Sequence, residues 1–292
     1  MQTFYADLHV HIGRSGTRPV KMAASPRLTL PAIIEEAAER KGIHIVGIVD
    51  AVADPVFAEL RTSVAGRALE ELSGGGLQAA GGRVTIIPGA ELEVHTGGKG
   101  AHYLAYFPDL SALGSFRSAI APYVTNLALS SQLVRVPLGE LIGLTADCDG
   151  LFLLAHAFTP HKGYYGSCAA SLTEHLTAYE IAGISGVELG LSSDTAMADH
   201  LRELHSFPYL SNSDAHSTEN IAREYIALRL AEPTFSELRL ALGSRRGRRI
   251  VANYGLDPRL GKYYRTFCPG CSAKVSLMPD RRCMECGGQV VP

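Results

Sequence analysis

No apolar stretch of the sequence is long enough to cross a bilayer. The longest, such as residues 151–155, are a few residues where about 20 are needed. The start, Met1-Gln2-Thr3-Phe4-Tyr5-Ala6-Asp7, lacks the basic and then apolar order of a secretory leader. These absences predict a soluble cytoplasmic protein with no membrane partner. Gly74-Gly75-Gly76 is not followed by the Lys-Ser/Thr of a phosphate-binding Walker loop. No Ser/His/Asp or Cys/His set offers a covalent nucleophile, and no internal repeat points to a solenoid. Cysteine is scarce, and two of the six, Cys148 and Cys168, stand alone and read as buried or loop thiols.

What is present suits one large domain with a small appendage. The 292 residues are 46% hydrophobic, enough for a full core. Apolar runs at residues 4–9, 43–49, 84–88, 102–107, 151–156, 186–189, 209–213 and 250–254 read as strands. Helical spacing at residues 30–40, ended by Gly42, and at 56–72 alternates with them. Strand and helix alternation predicts an α/β fold with a mostly parallel sheet, open or closed into a barrel. Residues 1–243 hold 17 Lys and Arg against 26 Asp and Glu, whereas residues 244–292 hold 10 against 3. An acidic body suits bound cations, and a basic tail suits a polyanion. We divide the chain into a large domain at 1–243, a basic connecting segment at 244–261 and an appendage at 262–292.

Asp7, His9, His11, Asp50, Glu91, His156, Glu188, Asp214 and His216 each fall at or just past the C-terminal end of an expected strand. In β/α folds, functional side chains converge on that face. In Asp7-x-His9-x-His11 the two imidazoles share one side of an extended chain and can grip one cation. Glu91 adds a carboxylate able to bridge two ions, and His102, His156 and the Asp214/His216 pair add further ligands. Imidazole and carboxylate without thiolate suit Zn, Mn or Fe. Asp7 is read as orienting a ligand imidazole rather than ligating. His44, His175, His200 and His205 fall in element interiors and are read as structural, while His95 and His161 lie in loops near the proposed face.

In order and type these residues resemble the polymerase and histidinol phosphatase (PHP) superfamily. The resemblance implies an irregular β/α barrel with His9, His11, Glu91 and Asp214 around one divalent ion, and the shared Glu91 with His102 and His156 around a second. A third ion is common in that superfamily, on an Asp-His after the second strand. Here Asp50-Ala51 lacks the imidazole, leaving Asp50, His216 and, less readily, Asp54 as replacements. Alternatively, Asp50 only orients a neighbour and Asp54 caps a helix. Asp214, Glu91, His216 and Asp50 are thus the catalytic candidates for metal-assisted phosphate ester hydrolysis.

Cys268-Pro-Gly-Cys271 and Cys283-Met-Glu-Cys286 have the spacing of a four-cysteine structural zinc ribbon. Narrower stretches, at residues 156–160, 187–192, 210–217 and 255–263, resemble endonuclease Q, a PHP-type family of DNA repair nucleases. That resemblance implies hydrolysis on the 5′ side of uracil, hypoxanthine or an abasic site. Its partner would be DNA carrying damaged or deaminated bases. Arg245, Arg246, Arg248, Arg249, Arg259 and Lys262 are then candidates for backbone contacts, Tyr164 and Tyr165 for stacking on a displaced base, and His161 for a phosphate contact. The same family continues past its ribbon into a helical region, whereas this sequence stops at Pro292. Two other readings stand beside this one: a histidinol-phosphatase-like small-molecule phosphatase, and a catalytically silent DNA-binding module. The ribbon and basic tail discriminate against the phosphatase, because a small monoester needs neither.

Overall fold

The first strand, Gln2–Val10, is fully buried from Ala6 onward. Burial on both faces requires apolar cover on both, and two layers supply it. Phe4, Ala6 and Leu8 join Ile45, Ile87, Leu104, Leu153, Leu210 and Ile226 inside a barrel. The alternate residues Val46, Ile48, Ile86, Phe152 and Val187 pack outward beneath the helices. Each large aliphatic side chain buried this way contributes about 1.5–3 kcal/mol. The structure, a computed structural model, describes residues 1–260, 268, 270, 271, 273 and 282–290.

Nine strands form the main path of the sheet, in the order Tyr209–Leu210, Ile184–Glu188, Leu151–Leu154, Lys99–Tyr106, Thr85–Thr96, Ile45–Ile48, Gln2–Val10, Tyr225–Leu230, Arg249–Tyr254. Strands Gln2–Val10, Ile45–Ile48 and Thr85–Thr96 pair in parallel, as do Leu151–Leu154, Ile184–Glu188 and Tyr209–Leu210. Lys99–Tyr106 runs against both of its neighbours, so the two parallel sets point the same way. Their C-terminal ends therefore open on one mouth.

The first strand forks. Near its start it pairs with Tyr225–Leu230, while at its end His11 N donates to Ala215 O at 3.1 Å and Ala215 N to His9 O at 3.1 Å. The fork leaves a gap between the two outermost strands. The Asn253 amide spans it, donating to Tyr209 O at 3.0 Å and accepting from Ser211 N at 2.7 Å.

The outer layer includes helices Leu30–Glu35, Asp54–Ala65, Leu110–Ile120 and Leu138–Asp147, whereas Phe235–Leu242 packs Phe235, Leu238, Ala241 and Leu242 with the inner layer. The first continues into a π-helical turn, Glu36–Lys41, and stops at Gly42, whose φ of 66° suits glycine. Helix Leu110–Ile120 starts where the Asp109 carboxylate accepts from Ala112 N at 2.8 Å.

Two expectations change. The helix expected over 56–72 ends at Ala65, and Leu69–Glu71 instead pairs with Leu77–Ala79. The strand expected to end at Pro88 runs to Thr96 and folds back through Gly97 and Gly98, so Glu91 sits inside a long hairpin. The strand expected over 250–254 is present as Arg249–Tyr254 and pairs with Tyr225–Leu230 at one end of the sheet path.

Candidate metal centre

Strand ends bring eight side chains to the mouth. His9 and His11 leave the first strand, Glu91 projects from the hairpin whose other arm carries His102, and His156 follows Leu151–Leu154. Asp214 and His216 follow Tyr209–Leu210, and Glu188 ends the strand between these last two. His9, His11 and Asp214 offer ligand atoms within 4.8 Å of one another, and so do Glu91, His102 and His156. The two groups touch through Glu91. Its Oε1 lies 2.9 Å from His102 Nδ1, 3.4 Å from His156 Nε2 and 3.5 Å from His9 Nε2, while its Oε2 lies 3.6 Å from His11 Nε2. His156 and Asp214 both adopt left-handed backbone, φ 28° and 47°, conformations that cost energy outside glycine and cluster at functional sites.

Each imidazole of the first pair is fixed from behind. His9 Nδ1 lies 3.0 Å from Glu188 Oε1, and that glutamate also accepts from His156 N at 2.7 Å and Asn212 Nδ2 at 2.8 Å. His11 Nδ1 lies 3.1 Å from Asp50 Oδ1. Asp50 also accepts from Ile12 N at 2.6 Å and from the Ser130 hydroxyl. Donation of both Nδ1 hydrogens leaves both Nε2 lone pairs aimed into the mouth. Those two Nε2 atoms and Asp214 Oδ1 are buried without a hydrogen-bond partner among the described residues. Buried polar atoms are normally satisfied, so a converging set of orphans fits a cation. Two imidazoles with a carboxylate, beside a carboxylate with two imidazoles, are donor sets suited to Zn, Mn or Fe.

Burial alone would raise the Glu91 carboxyl, but His102, the Lys21 ammonium and His11 outweigh it and hold it well below the usual range. Asp214 is likewise driven down against burial by His9 and His11. Burial holds His102 and His216 below the ordinary imidazole value, favouring the neutral form that can ligate. Burial would also lower Lys21, yet Glu91 and Asp50 keep its ammonium above the ordinary lysine range.

A cavity of about 550 Å³ opens beside these groups, lined by Lys21, Glu91, His102, His156, Asp214 and His216. Thr159, His161, Gly190, Leu191, Ser192 and Pro258 line it as well.

Other candidates land elsewhere. Asp50 turns both oxygens onto His11, Ile12 and Ser130, and Asp54 starts its helix and pairs with Arg117. Asp7 accepts from the backbone of His9, Ser213 and Ala222 rather than from an imidazole; the carboxylate expected behind His9 is Glu188. Tyr164 is fully buried and donates to Ser171 O at 3.1 Å, which removes it from base stacking. Tyr165 stacks on Phe158 and donates to Glu203 at 3.0 Å, so it too packs within its own domain. His161 is exposed at the cavity rim.

The arginine run is displaced from the mouth. Arg249 pairs with Arg229, which pairs with Thr3, at the start of the first strand. His9 lies six residues further along that strand, about 20 Å at the usual rise. Arg245, Arg246, Arg248 and Arg249 therefore lie at or beyond the far end of the sheet, and Arg248 is committed to Glu237 at 2.8 Å. Arg259 follows the cavity-lining Pro258 and pairs with Asp257 at 2.6 Å. Lys262 lies outside the described residues.

Sequence reasoning missed Lys21, Ser130, Ser131 and the role of Glu188. Only Glu188, at a strand end, carried a signal. In the ribbon, Cys268 and Cys286 sulfurs lie 3.4 Å apart and Cys271 and Cys283 sulfurs 3.6 Å apart. These separations are too long for a disulfide and near the roughly 3.8 Å edge of a thiolate tetrahedron around zinc.

No protein-family model matches the chain. The uncharacterized protein YqxK of Bacillus subtilis is 41% identical over 291 residues, covering 98% of this chain and 74% of that protein. The crystal structure of a lesion-specific endonuclease, PfuEndoQ of Pyrococcus furiosus, matches with a TM-score of 0.84 and 33% identity over 99% of this chain and 69% of its own. The chain belongs to the endonuclease Q family. A further endonuclease Q structure, bound to a 27-mer duplex with an abasic lesion at the active site, also matches at TM-score 0.84, with 32% identity over 99% of this chain and 70% of its own. The fold extends to a two-domain PHP-like protein of Bacteroides vulgatus, at 15% identity and TM-score 0.53 over 87% of this chain and 65% of its own. This endonuclease Q family member is a metal-dependent hydrolase that shares the fold of PHP-like proteins.

Proposed function

We propose that the protein hydrolyses the DNA phosphodiester on the 5′ side of an abasic site or of a deaminated base such as uracil or hypoxanthine. The observation that carries this reading is the pair of ligand groups meeting at Glu91 beside a cavity of about 550 Å³. Support for a lesion substrate comes from the endonuclease Q relative bound to an abasic duplex.

His9, His11 and Asp214 would hold one divalent cation, and Glu91, His102 and His156 a second, with Glu91 within reach of both. When bound, such a pair supplies an activated water and neutralises charge on the phosphate and leaving oxygens. Glu188 and Asp50 hold His9 and His11 in the tautomer that ligates. The water oxygen forms a bond to phosphorus, the P–O bond to the departing sugar breaks, and the leaving oxygen keeps the electron pair and gains a proton from solvent. His216, neutral and at the cavity wall, accepts the proton of the attacking water. Thr159, His161 and Ser192 line the same cavity and would border an extruded nucleotide. Four thiolates would hold a structural zinc in the ribbon, closing its coordination and leaving catalysis to the barrel.

Metal-loaded protein is to be incubated with labelled duplexes carrying uracil, hypoxanthine, an abasic site or no lesion. Lesion-dependent nicking is expected, with loss of at least about 100-fold in Glu91→Gln or Asp214→Asn. Equal cutting of undamaged duplex would remove the repair reading, and turnover of small phosphomonoesters alone would replace it with a phosphatase.

A further inference from the structure

The cations that His, Asp and Glu would bind are not the only positive charge at the mouth. Lys21 enters it from the loop after the first strand, with its ammonium 2.8 Å from Glu91 Oε2 and 2.5 Å from Ser131 Oγ. The approach is built. Lys21 N donates to Ile12 O at 3.1 Å, Val20 N to Gly13 O at 2.9 Å, and Ser130 N to Val20 O at 3.1 Å. The loop passes so close that a Cβ on Gly13 would meet Ser25 O at 2.0 Å. The Lys21 side chain is 14% exposed, and what remains open faces the cavity shared with Asp214 and His216.

Glu91 thus serves two sides with its two oxygens. Oε1 meets His102, His156 and His9, whereas Oε2 meets His11, Lys21 and the Ser131 hydroxyl. Asp50, which backs His11, spends its oxygens on His11, Ile12 and Ser130. Among the described residues the mouth holds two ligand groups and no third; of the two lysines that line the cavity, Lys162 pairs with Glu93 and Lys21 with Glu91 between the groups. An ammonium has three donors, and the described contacts use two.

We infer that Lys21 is a catalytic residue that donates its third N–H to a non-bridging oxygen of the scissile phosphate, as a resident cation beside the two metal positions. It remains an ammonium throughout, transfers no proton and forms no bond. A donor already fixed in place stabilises charge that grows on the phosphate at no cost in reorganisation. Glu91 and Ser131 set where that charge stands. The inference rests on the phosphodiester reading above, and it assigns this lysine a contact with substrate rather than with metal.

The test uses the full metal-loaded chain and Lys21→Met, which keeps the length of the stem and removes the charge. Expected are unchanged metal content per chain, kcat for a lesion duplex lower by about 100-fold and little change in KM. Binding of the nicked product duplex should show a salt dependence shallower by about one phosphate contact. Wild-type kcat in Lys21→Met overturns the inference. So does altered metal content with activity falling in proportion, because Lys21 would then only balance the charge of the ligands. If Lys21→Met does not fold, Lys21→Arg must match the salt dependence of the wild type and keep at least about a tenth of its rate; a shallower slope overturns the proposal. Failure of the wild-type chain to cut any lesion duplex would sink the parent reading instead, and that control precedes every variant.

Discussion

Glu188 does more for the mouth than its position at a strand end suggests. One carboxylate fixes the His9 ring, the His156 backbone and the Asn212 amide, three groups from three separate chain segments. Burial alone would raise its carboxyl, and His9 more than compensates, so it stays ionised below the ordinary carboxylate range. Glu188→Ala is expected to weaken metal affinity at His9 by about 10–100-fold while the fold persists, measured by competition with a chelator. Unchanged affinity would show that packing alone orients the ring. At this scale the sequence was legible where chemistry is local: a His-x-His on a strand end declares a shared face through its spacing alone. It was illegible where a loop returns from elsewhere. Nothing near Lys21 or Ser131 in sequence says that both will touch Glu91, because that contact depends on how two distant loops fold over the first strand.

At the scale of elements, strand direction decides what the basic run can do. Arg249–Tyr254 enters the sheet from the end opposite the mouth, so its arginines begin about 20 Å from His9 and only its far end approaches the cavity, through Pro258. Charge composition cannot reveal this, since it carries no direction. The glutamate that pairs with Arg248, Glu237, is buried and also accepts from Ala231 N at 2.6 Å. Arg248→Ala combined with Arg249→Ala is therefore expected to lower the thermal midpoint while leaving the salt dependence of lesion-duplex binding unchanged. A flatter slope would return these residues to the DNA interface. The alternation of strands and helices was readable because buried parallel strands are short apolar runs. The long hairpin around Gly97 and Gly98 was not, since its polar tip interrupts the run. The loop tyrosines faced the same limit: an aromatic between elements can pack inward as well as stack outward, and Tyr164 packs inward.

Across the whole molecule, barrel and ribbon meet in sequence at residues 255–260, and this segment is tied down by Glu224, which accepts from Leu256 N at 2.8 Å. Burial, with smaller contributions from Glu188 and Asp7, pushes the Glu224 carboxyl up from 4.5 to about 7. Between those values the folded state holds a proton that the unfolded chain releases. Its contribution to stability is therefore full below about pH 4.5 and is lost as pH rises through about 7. Glu224→Gln keeps an acceptor for Leu256 N without the charge. The variant should match the wild type near pH 4.5 and exceed its thermal midpoint at pH 8, and a parallel pH profile for the two proteins would refute the assignment. The placement of the site at one mouth was legible from the whole sequence, because most candidate ligands, separated by up to about 200 residues, fall at strand ends, with Glu91 and His102 on the arms of a hairpin. Which end the tail would reach was not.

The Asn253 amide joins the two outermost strands where the first strand forks away from each. A ring otherwise laced by main-chain bonds is buckled there by a single carboxamide, and the residues on one side of that buckle lead within a few positions to Asp214. Asp214 has a second anchor, because Ala215 beside it exchanges main-chain bonds with His9 and His11. Wear at the clasp would therefore loosen the edge that leads toward the ribbon before it reaches the ligands.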